Sequence, residues 1–161
     1  MKVAIIMGSK NDYSVVQKAE EVLKDFGVET EVRIMSAHRT PKAAAAFAEN
    51  AEKNGIELII AAAGKAAHLG GVLAAGTPLP IVGIPIKSST LDGLDSLLSM
   101  VQMPKGVPVA TVAIDGAENA GLFAVQVLSV KYPELRKKMK EYKDKMEKDI
   151  VAMDTEFQNA R

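Results

Sequence analysis

The sequence contains no cysteine and no tryptophan, and aromatic residues make up only 4% of it. Without cysteine the chain has no disulfide, no zinc–thiolate site and no thiol nucleophile. So few aromatic rings leave little to stack on a flavin. Charge of one sign is also missing, since 20 basic and 20 acidic residues give a formal net charge of zero. That balance argues against a surface that binds nucleic acid broadly, but it allows a local anion site.

Long hydrophobic runs are absent as well. No apolar stretch reaches the roughly 20 residues needed to span a bilayer. The opening run MKVAIIMGS is shorter than a signal-peptide core and leads straight into a glycine turn. We therefore expect a cytoplasmic protein with no membrane partner. A chain of 161 residues with 48% hydrophobic content is most simply one domain with one core.

Five short runs have the composition of β-strands: 2–7, 29–34, 57–63, 80–86 and 108–114. Four are almost continuously apolar, which is typical of strands buried on both faces of a parallel sheet. The alternation in 29–34 instead predicts an edge or half-covered strand. Because helical patterns fill the gaps between the runs, the sequence predicts an α/β fold with a parallel sheet covered on both sides.

Several helix signals support this order. The apolar pattern from Val15 to Phe26 predicts a helix closed by Gly27, and Thr40 with Pro41 predicts the start of another. Further helices are expected over the leucine stripe from Leu91 to Val101 and over 117–130.

The tail, residues 133–158, has the pattern of a long amphipathic helix, because its apolar residues recur every three or four positions among mixed Lys and Glu. Two interpretations are open: an amphipathic helix solvated on its own domain, or a stripe that docks on a neighbouring subunit. The stripe consists of Leu135, Met139, Tyr142, Met146, Ile150, Met153 and Phe157.

Four polar or glycine-containing segments follow the predicted strands: GSKND (8–12), SAHRTP (36–41), GKAAHLGG (64–71) and KSSTLDGLDS (87–96). Ligands of open α/β sheets bind outside the carboxyl ends of the strands, so these segments are the candidate site. Plain N-capping is the alternative interpretation of GSKND, and a tight glycine turn with a surface histidine is the alternative for the third segment. Neither a P-loop nor a GxGxxG pattern is present.

His38 and Arg39 are the strongest candidates for chemistry. A histidine ordinarily titrates near pH 7, and an arginine binds phosphate or carboxylate well. The alternative is a capping turn with an incidental histidine. His68 is the only other histidine, and no further set of ligands accompanies the pair, so we predict no metal site.

Six motifs, MGSKND, SAHRTP, AAHLGG, LDGLDSLLSMVQMP, GVPVATVAI and NAGLFAVQVL, occur in this order before residue 131. In sequence and spacing they resemble the N5-carboxyaminoimidazole ribonucleotide mutases of purine biosynthesis. The resemblance implies a flavodoxin-like three-layer α/β/α catalytic domain over 1–130, assembled as a homo-octamer. It further implies that 131–161 is a C-terminal helical extension of this domain that packs on neighbouring subunits, and that no metal or organic cofactor is needed.

The implied substrate is a ribonucleotide whose carbamate carboxyl group moves, through a CO2 intermediate, from the exocyclic nitrogen to ring carbon four. The alternative is the sister class of carboxylases, which use free CO2. That class usually carries lysine and glycine where this chain has Arg39 and Thr40, so the mutases are favoured.

Matched motif by motif, His38 corresponds to the family's general acid/base, and Ser9, Asp12 and Arg39 correspond to its substrate-binding residues. The remaining matches are walls of the substrate pocket: Ser36, Ala37, Gly64, Ala66, Ala67, His68 and Leu69.

Two departures from the family pattern concern the third segment. Lys65 stands where the family usually has glycine, so it must adopt an ordinary φ or bear a strain of about 1–2 kcal/mol. Gly70 stands where the family usually has proline, which predicts a looser loop.

Overall fold

The computed structural model describes residues 1–161 and contains one five-stranded sheet. All strands are parallel, in the order β2-β1-β3-β4-β5, which is the flavodoxin-like order. The predicted fold class is therefore confirmed. The strands are β1 (Lys2–Met7), β2 (Glu29–Ile34), β3 (Leu58–Gly64), β4 (Ile81–Ile86) and β5 (Ala110–Thr111).

Six helices and two short 3-10 turns, Lys10–Asp12 and Leu91–Gly93, complete the fold. The chain divides into two compact units, Met1–Ala124 and Val125–Arg161, and the first contains the whole sheet. None of the helices combines the length and the apolarity needed to cross a membrane. The helices are α1 (Tyr13–Asp25), α2 (Pro41–Asn50), α3 (Leu69–Gly76), α4 (Leu94–Val101), α5 (Ala117–Leu128) and α6 (Pro133–Asn159).

The sheet separates two apolar layers because neighbouring strand residues point to opposite faces. Ala4 and Ile6 of β1 face a core shared with Ala44 of α2, Leu73 of α3 and Met100 of α4, all fully buried. Helix α1 covers the other face, and α5 packs closely on it. A Cβ added to Gly121 of α5 would lie 3.0 Å from the carbonyl oxygen of Ala19 in α1, so glycine sets this approach.

Two strands show how well the patterns predicted the sheet. The strand 29–34 has the predicted bounds and lies at an edge. The strand expected over 108–114 forms a ladder only at Ala110 and Thr111. Its partner β4 contains Pro85, whose carbonyl accepts from Asp115 N–H but which has no N–H to donate in return. The pairing is therefore interrupted at Pro85.

The segment 64–71 was expected to be a loop, but α3 begins inside it at Leu69 and includes Gly70 and Gly71. Glycine lowers helix propensity, which concealed the helix in the sequence. Close packing explains the small residues, since a Cβ on Gly71 would lie 3.0 Å from Met103 Cε.

Helix α6 spans nearly the predicted residues, and its stripe is buried only near the start. Leu135 and Met139 are buried. Further along, Met146, Ile150 and Phe157 are more than half exposed, at 52%, 63% and 58%. Over its distal half the helix therefore displays an apolar face.

Candidate functional site

The carboxyl ends of β1 to β4 surround a cleft of about 650 Å³. Its position is the one that open parallel sheets use for ligands. Its lining comes from four segments, one after each of these strands: Gly8, Ser9, Asn11 and Asp12; Ser36, Ala37, His38 and Arg39; Ala63, Gly64, Lys65, Ala66 and Leu69; and Ile86, Lys87, Ser88 and Ser89.

The turn after β2 is closed by its own side chains. Thr40 occupies the predicted N-cap position and Pro41 the first helical position, but the Thr40 hydroxyl bonds across the turn to Ser36 rather than to the helix. It accepts from Ser36 N–H at 2.9 Å and donates to Ser36 C=O at 3.0 Å. Arg39 N–H donates to Ser36 Oγ at 3.2 Å. These bonds fix the backbone that carries His38 and Arg39.

Arg39 connects this turn with the loop after β1. Its Nη2 donates to the Gly8 carbonyl oxygen at 2.7 Å, and its Nε donates to Ser36 Oγ at 3.4 Å. A guanidinium has five N–H donors, so donors remain for an anion in the cleft.

The loop after β1 begins with a capping box. Asn11 N–H donates to Ser9 Oγ at 3.2 Å, and Ser9 N–H donates to the Asp12 carboxylate at 3.0 Å. Burial raises the pKa of the Asp12 carboxyl above its ordinary value, and Asp115 adds to the rise. The Ser9 N–H and the Arg39 charge oppose it. Both the capping interpretation and a place in the cleft therefore hold for Ser9 and Asp12.

His38 and His68 lie in direct contact. His38 Nε2 is 3.0 Å from His68 Nδ1, and the rings meet edge to face with centroids 5.2 Å apart. Such a bond needs one N–H and one lone pair, so one ring nitrogen of the pair donates and the other accepts. Both side chains are exposed.

The loops after β3, β4 and β5 contain all four non-glycine residues with positive φ: Lys65 (56°), Leu91 (49°), Asp92 (51°) and Asp115 (56°). Of the two alternatives for Lys65, the structure shows the left-handed one. One contact closes the loop after β4, and another joins it to the loop after β5. Lys87 Nζ lies 3.3 Å from Asp92 Oδ1, and Lys87 N–H donates to Asp115 Oδ1 at 2.8 Å.

Most of the candidate residues come together in this cleft. Ala67 does not, because its side chain is buried in the core beneath α3 at 1% exposure. His68 contacts His38 without itself lining the cleft. The nine that line it are Ser9, Asp12, Ser36, Ala37, His38, Arg39, Gly64, Ala66 and Leu69.

Sequence reasoning did not propose Ala63 and Ile86, which also line the cleft. Their signal is positional, since each stands at or next to the carboxyl end of an apolar run, where strands meet a ligand. Alanine and isoleucine have no functional group that would single them out in the sequence as binding residues.

The charged residues of the lining are mostly cationic. Arg39, Lys65 and Lys87 face a single acid, Asp12. A concave surface with this excess attracts and orients a small anion. The fold and the cleft together define a flavodoxin-like α/β domain with a mainly cationic cleft at the carboxyl end of its sheet.

Comparison with known proteins identifies the family. The family model described as AIR carboxylase matches residues 2–149. The chain is 58% identical to the N5-carboxyaminoimidazole ribonucleotide mutase of Pyrococcus abyssi, over 91% of this chain and 84% of that protein. It is 56% identical to the mutase of Saccharolobus solfataricus, over 94% and 96%.

The crystal structure of Treponema denticola PurE aligns with a TM-score of 0.86 at 28% identity, covering 96% of this chain and 97% of that one. The chain therefore belongs to the AIR carboxylase family, among its N5-carboxyaminoimidazole ribonucleotide mutases. The predicted family is confirmed.

Proposed function

We propose that the chain converts N5-carboxyaminoimidazole ribonucleotide into 4-carboxy-5-aminoimidazole ribonucleotide, with His38 as general acid and base and with CO2 retained between the two steps. The observation that carries this proposal is the placement of His38 in a cleft whose other charged residues are mainly cations. An imidazole can exchange protons near neutral pH, while the cations suit an anionic ribotide.

The reaction needs one proton donated and one proton removed, so a single acid/base group is sufficient. Cleavage of the carbamate N–C bond releases neutral CO2 and leaves its electron pair on nitrogen, which accepts a proton from His38. Carbon four then attacks CO2, and the resulting tetrahedral carbon loses its proton to His38. The proton count balances over the cycle. The other charged groups suit this role less, since a guanidinium stays protonated and a carboxylate is mostly ionised at neutral pH.

The bond between His38 and His68 offers a means of holding both states. When His38 is protonated, both of its ring nitrogens carry hydrogen, so Nε2–H donates to His68 Nδ1 while Nδ1–H acts as the acid. Once that proton has left, Nε2–H still donates to His68, and the bare Nδ1 acts as the base. The observed separation of 3.0 Å fits such a bond in both states.

Retention of CO2 requires enclosure, because the molecule is small and uncharged. Ala37, Ala66 and Leu69 give the cleft small apolar walls, which exclude water around the intermediate. Arg39, with Ser9 and the backbone behind it, would bind the ribotide phosphate, so that binding energy remote from the reaction aligns the ring.

An isotope experiment tests the proposal and separates it from the alternative carboxylase, a reaction that the description of the family model also names. The purified protein is given ribotide labelled with 13C in the carbamate and an excess of unlabelled bicarbonate. A mutase that retains CO2 forms product with the label at the new carboxyl group, in bicarbonate-depleted buffer as well. Unlabelled product, or turnover that depends on added bicarbonate, would show the carboxylase reaction instead.

We also propose that the protein is a homo-oligomer, with an octamer as the expected state, working in the cytoplasm without nucleic acid or membrane partners. The support is the exposed apolar face of Met146, Ile150, Met153 and Phe157, which a second copy would cover. Light scattering should give the octamer mass for the wild type and a smaller mass for Ile150→Glu. Thr155→Glu, which adds the same charge at another exposed position of α6, should keep the wild-type mass.

A further inference from the structure

Lys65 combines an unusual backbone conformation with a place in the cleft. Its φ of 56° lies in the left-handed region, which lysine adopts rarely and glycine adopts readily. Strained residues of this kind persist where surrounding structure holds them, and they cluster at ligand sites. We propose that Lys65 is a second binding residue for the phosphate of the ribotide substrate; this inference rests on the proposed function.

Lys65 is the one cation of the cleft whose side chain makes no hydrogen bond or ion pair within the protein. Arg39 already donates to the Gly8 carbonyl and to Ser36 Oγ, and Lys87 pairs with Asp92 at 3.3 Å. Lys65 lines the cleft, is exposed, and has no carboxylate within salt-bridge distance. Its ammonium group is therefore available to an anion that enters.

The sheet register places Lys65 and the proposed phosphate anchor at the carboxyl ends of neighbouring strands. Strands β1 and β3 pair with Met7 opposite Ala62, and Gly8 N–H continues the pairing with Ala62 C=O at 3.1 Å. Ser9 and Gly64 follow two residues after the pair of Met7 and Ala62, and both line the cleft together with Lys65. A lysine at this point can reach an anion held between Ser9 and Arg39.

The chemistry favours the phosphate over the carboxyl group as the partner of Lys65. A cation that holds the carbamate carboxylate stabilises the charged reactant more than the neutral CO2 formed from it, so it would oppose the first step. The phosphate keeps its charge throughout the reaction. A cation bound there assists the reactant, the intermediate and the product equally and lowers KM without lowering kcat.

Three variants test the proposal. Lys65→Asn removes the charge and keeps a residue that tolerates the left-handed region, and Lys65→Arg retains the charge. Lys53→Asn removes a lysine from an exposed turn away from the cleft and controls for net charge. For each protein, kcat and KM for the carbamate ribotide are measured, together with inhibition by ribose 5-phosphate.

We expect Lys65→Asn to raise KM about tenfold, which corresponds to one charge-assisted contact, with kcat within twofold of the wild type. The inhibition constant of ribose 5-phosphate should rise in parallel. Lys65→Arg should restore most of both effects, and Lys53→Asn should match the wild type.

An unchanged KM in Lys65→Asn would overturn the inference, as would a raised KM with unchanged inhibition by ribose 5-phosphate, which would place the contact at the carboxyl end. A fall in kcat at unchanged KM would also overturn it. A wild type with no turnover of the ribotide would instead refute the proposed function, so the two failures are distinguishable.

Discussion

The loops after β1 and β2 are held by hydrogen bonds of their own side chains, whereas the loops after β3, β4 and β5 contain residues in left-handed conformations. We call these the bonded half and the strained half of the cleft. Ser9, Asp12, Ser36 and Thr40 each bond to the backbone of the bonded half. No non-glycine residue there has a positive φ. The proposed acid/base His38 therefore stands in the bonded half, whereas Lys65 stands in the strained half.

The sharpest test of this division is His38→Asn, in the bonded half. We expect kcat to fall by about 10²–10⁴, the usual contribution of a general acid/base, while KM changes only a few-fold. Steady-state kinetics with the carbamate ribotide, and direct binding measured by calorimetry, separate the two effects. Retained turnover would remove His38 from the proposed role and with it the chemical function of this half.

A second prediction concerns the bonds that hold the bonded half. Thr40→Ala removes the hydroxyl that both accepts from and donates to Ser36. We expect it to lower the free energy of unfolding by about 1–2 kcal/mol. Thr40→Ser keeps the hydroxyl and should lose less than half of that. Urea denaturation measures both, and equal losses for the two variants would show that the methyl group matters rather than the bonds.

The two halves also differ in how far the sequence predicted them. Thr40 and Pro41 mark the start of α2, and Ser9 with Asp12 forms a local capping pattern, so these positions follow from neighbouring residues. The contact between His38 and His68 joins residues 30 positions apart, and the resemblance gave both residues without their pairing.

In the strained half, residue types did not predict the backbone conformation. Leucine, aspartate and lysine do not ordinarily signal a positive φ, so the sequence predicted a helical stripe at Leu91 and left Lys65 open between two conformations. The start of α3 inside a glycine-containing segment was hidden for the opposite reason, because packing overrides the low helix propensity of Gly70 and Gly71.

The strain itself can be measured at Leu91, which is 68% exposed and has a φ of 49°. Leu91→Gly should raise the free energy of unfolding by about 0.5 kcal/mol, because relief of the left-handed strain exceeds the added entropy of the unfolded chain. Leu98→Gly is the matched control, an exposed leucine inside α4, where glycine should destabilise by about 1 kcal/mol. A loss of stability in both variants would mean that Leu91 bears no net strain.

The smallest expected effect is the contribution of Asp12 to the pH dependence of stability. Asp12 belongs to the bonded half, and the charge of Asp115 in the strained half acts on it. Burial raises the pKa of the Asp12 carboxyl in the folded protein, so the folded state binds its proton more tightly than the unfolded state does. Stability must then decrease as pH rises from about 4, the ordinary carboxyl value, through the raised folded value.

Asp12→Asn keeps an acceptor for Ser9 N–H and removes this dependence. The variant should therefore gain stability relative to the wild type between pH 4 and 7, while the two converge below pH 4. Thermal unfolding across this range measures the difference, with Asp144→Asn on the exposed surface of α6 as the control for loss of one carboxylate. If the stability gain of Asp12→Asn over the wild type instead shrinks as pH rises, then Arg39 and the Ser9 N–H outweigh burial. The pKa of Asp12 would then be set by its neighbours in the bonded half.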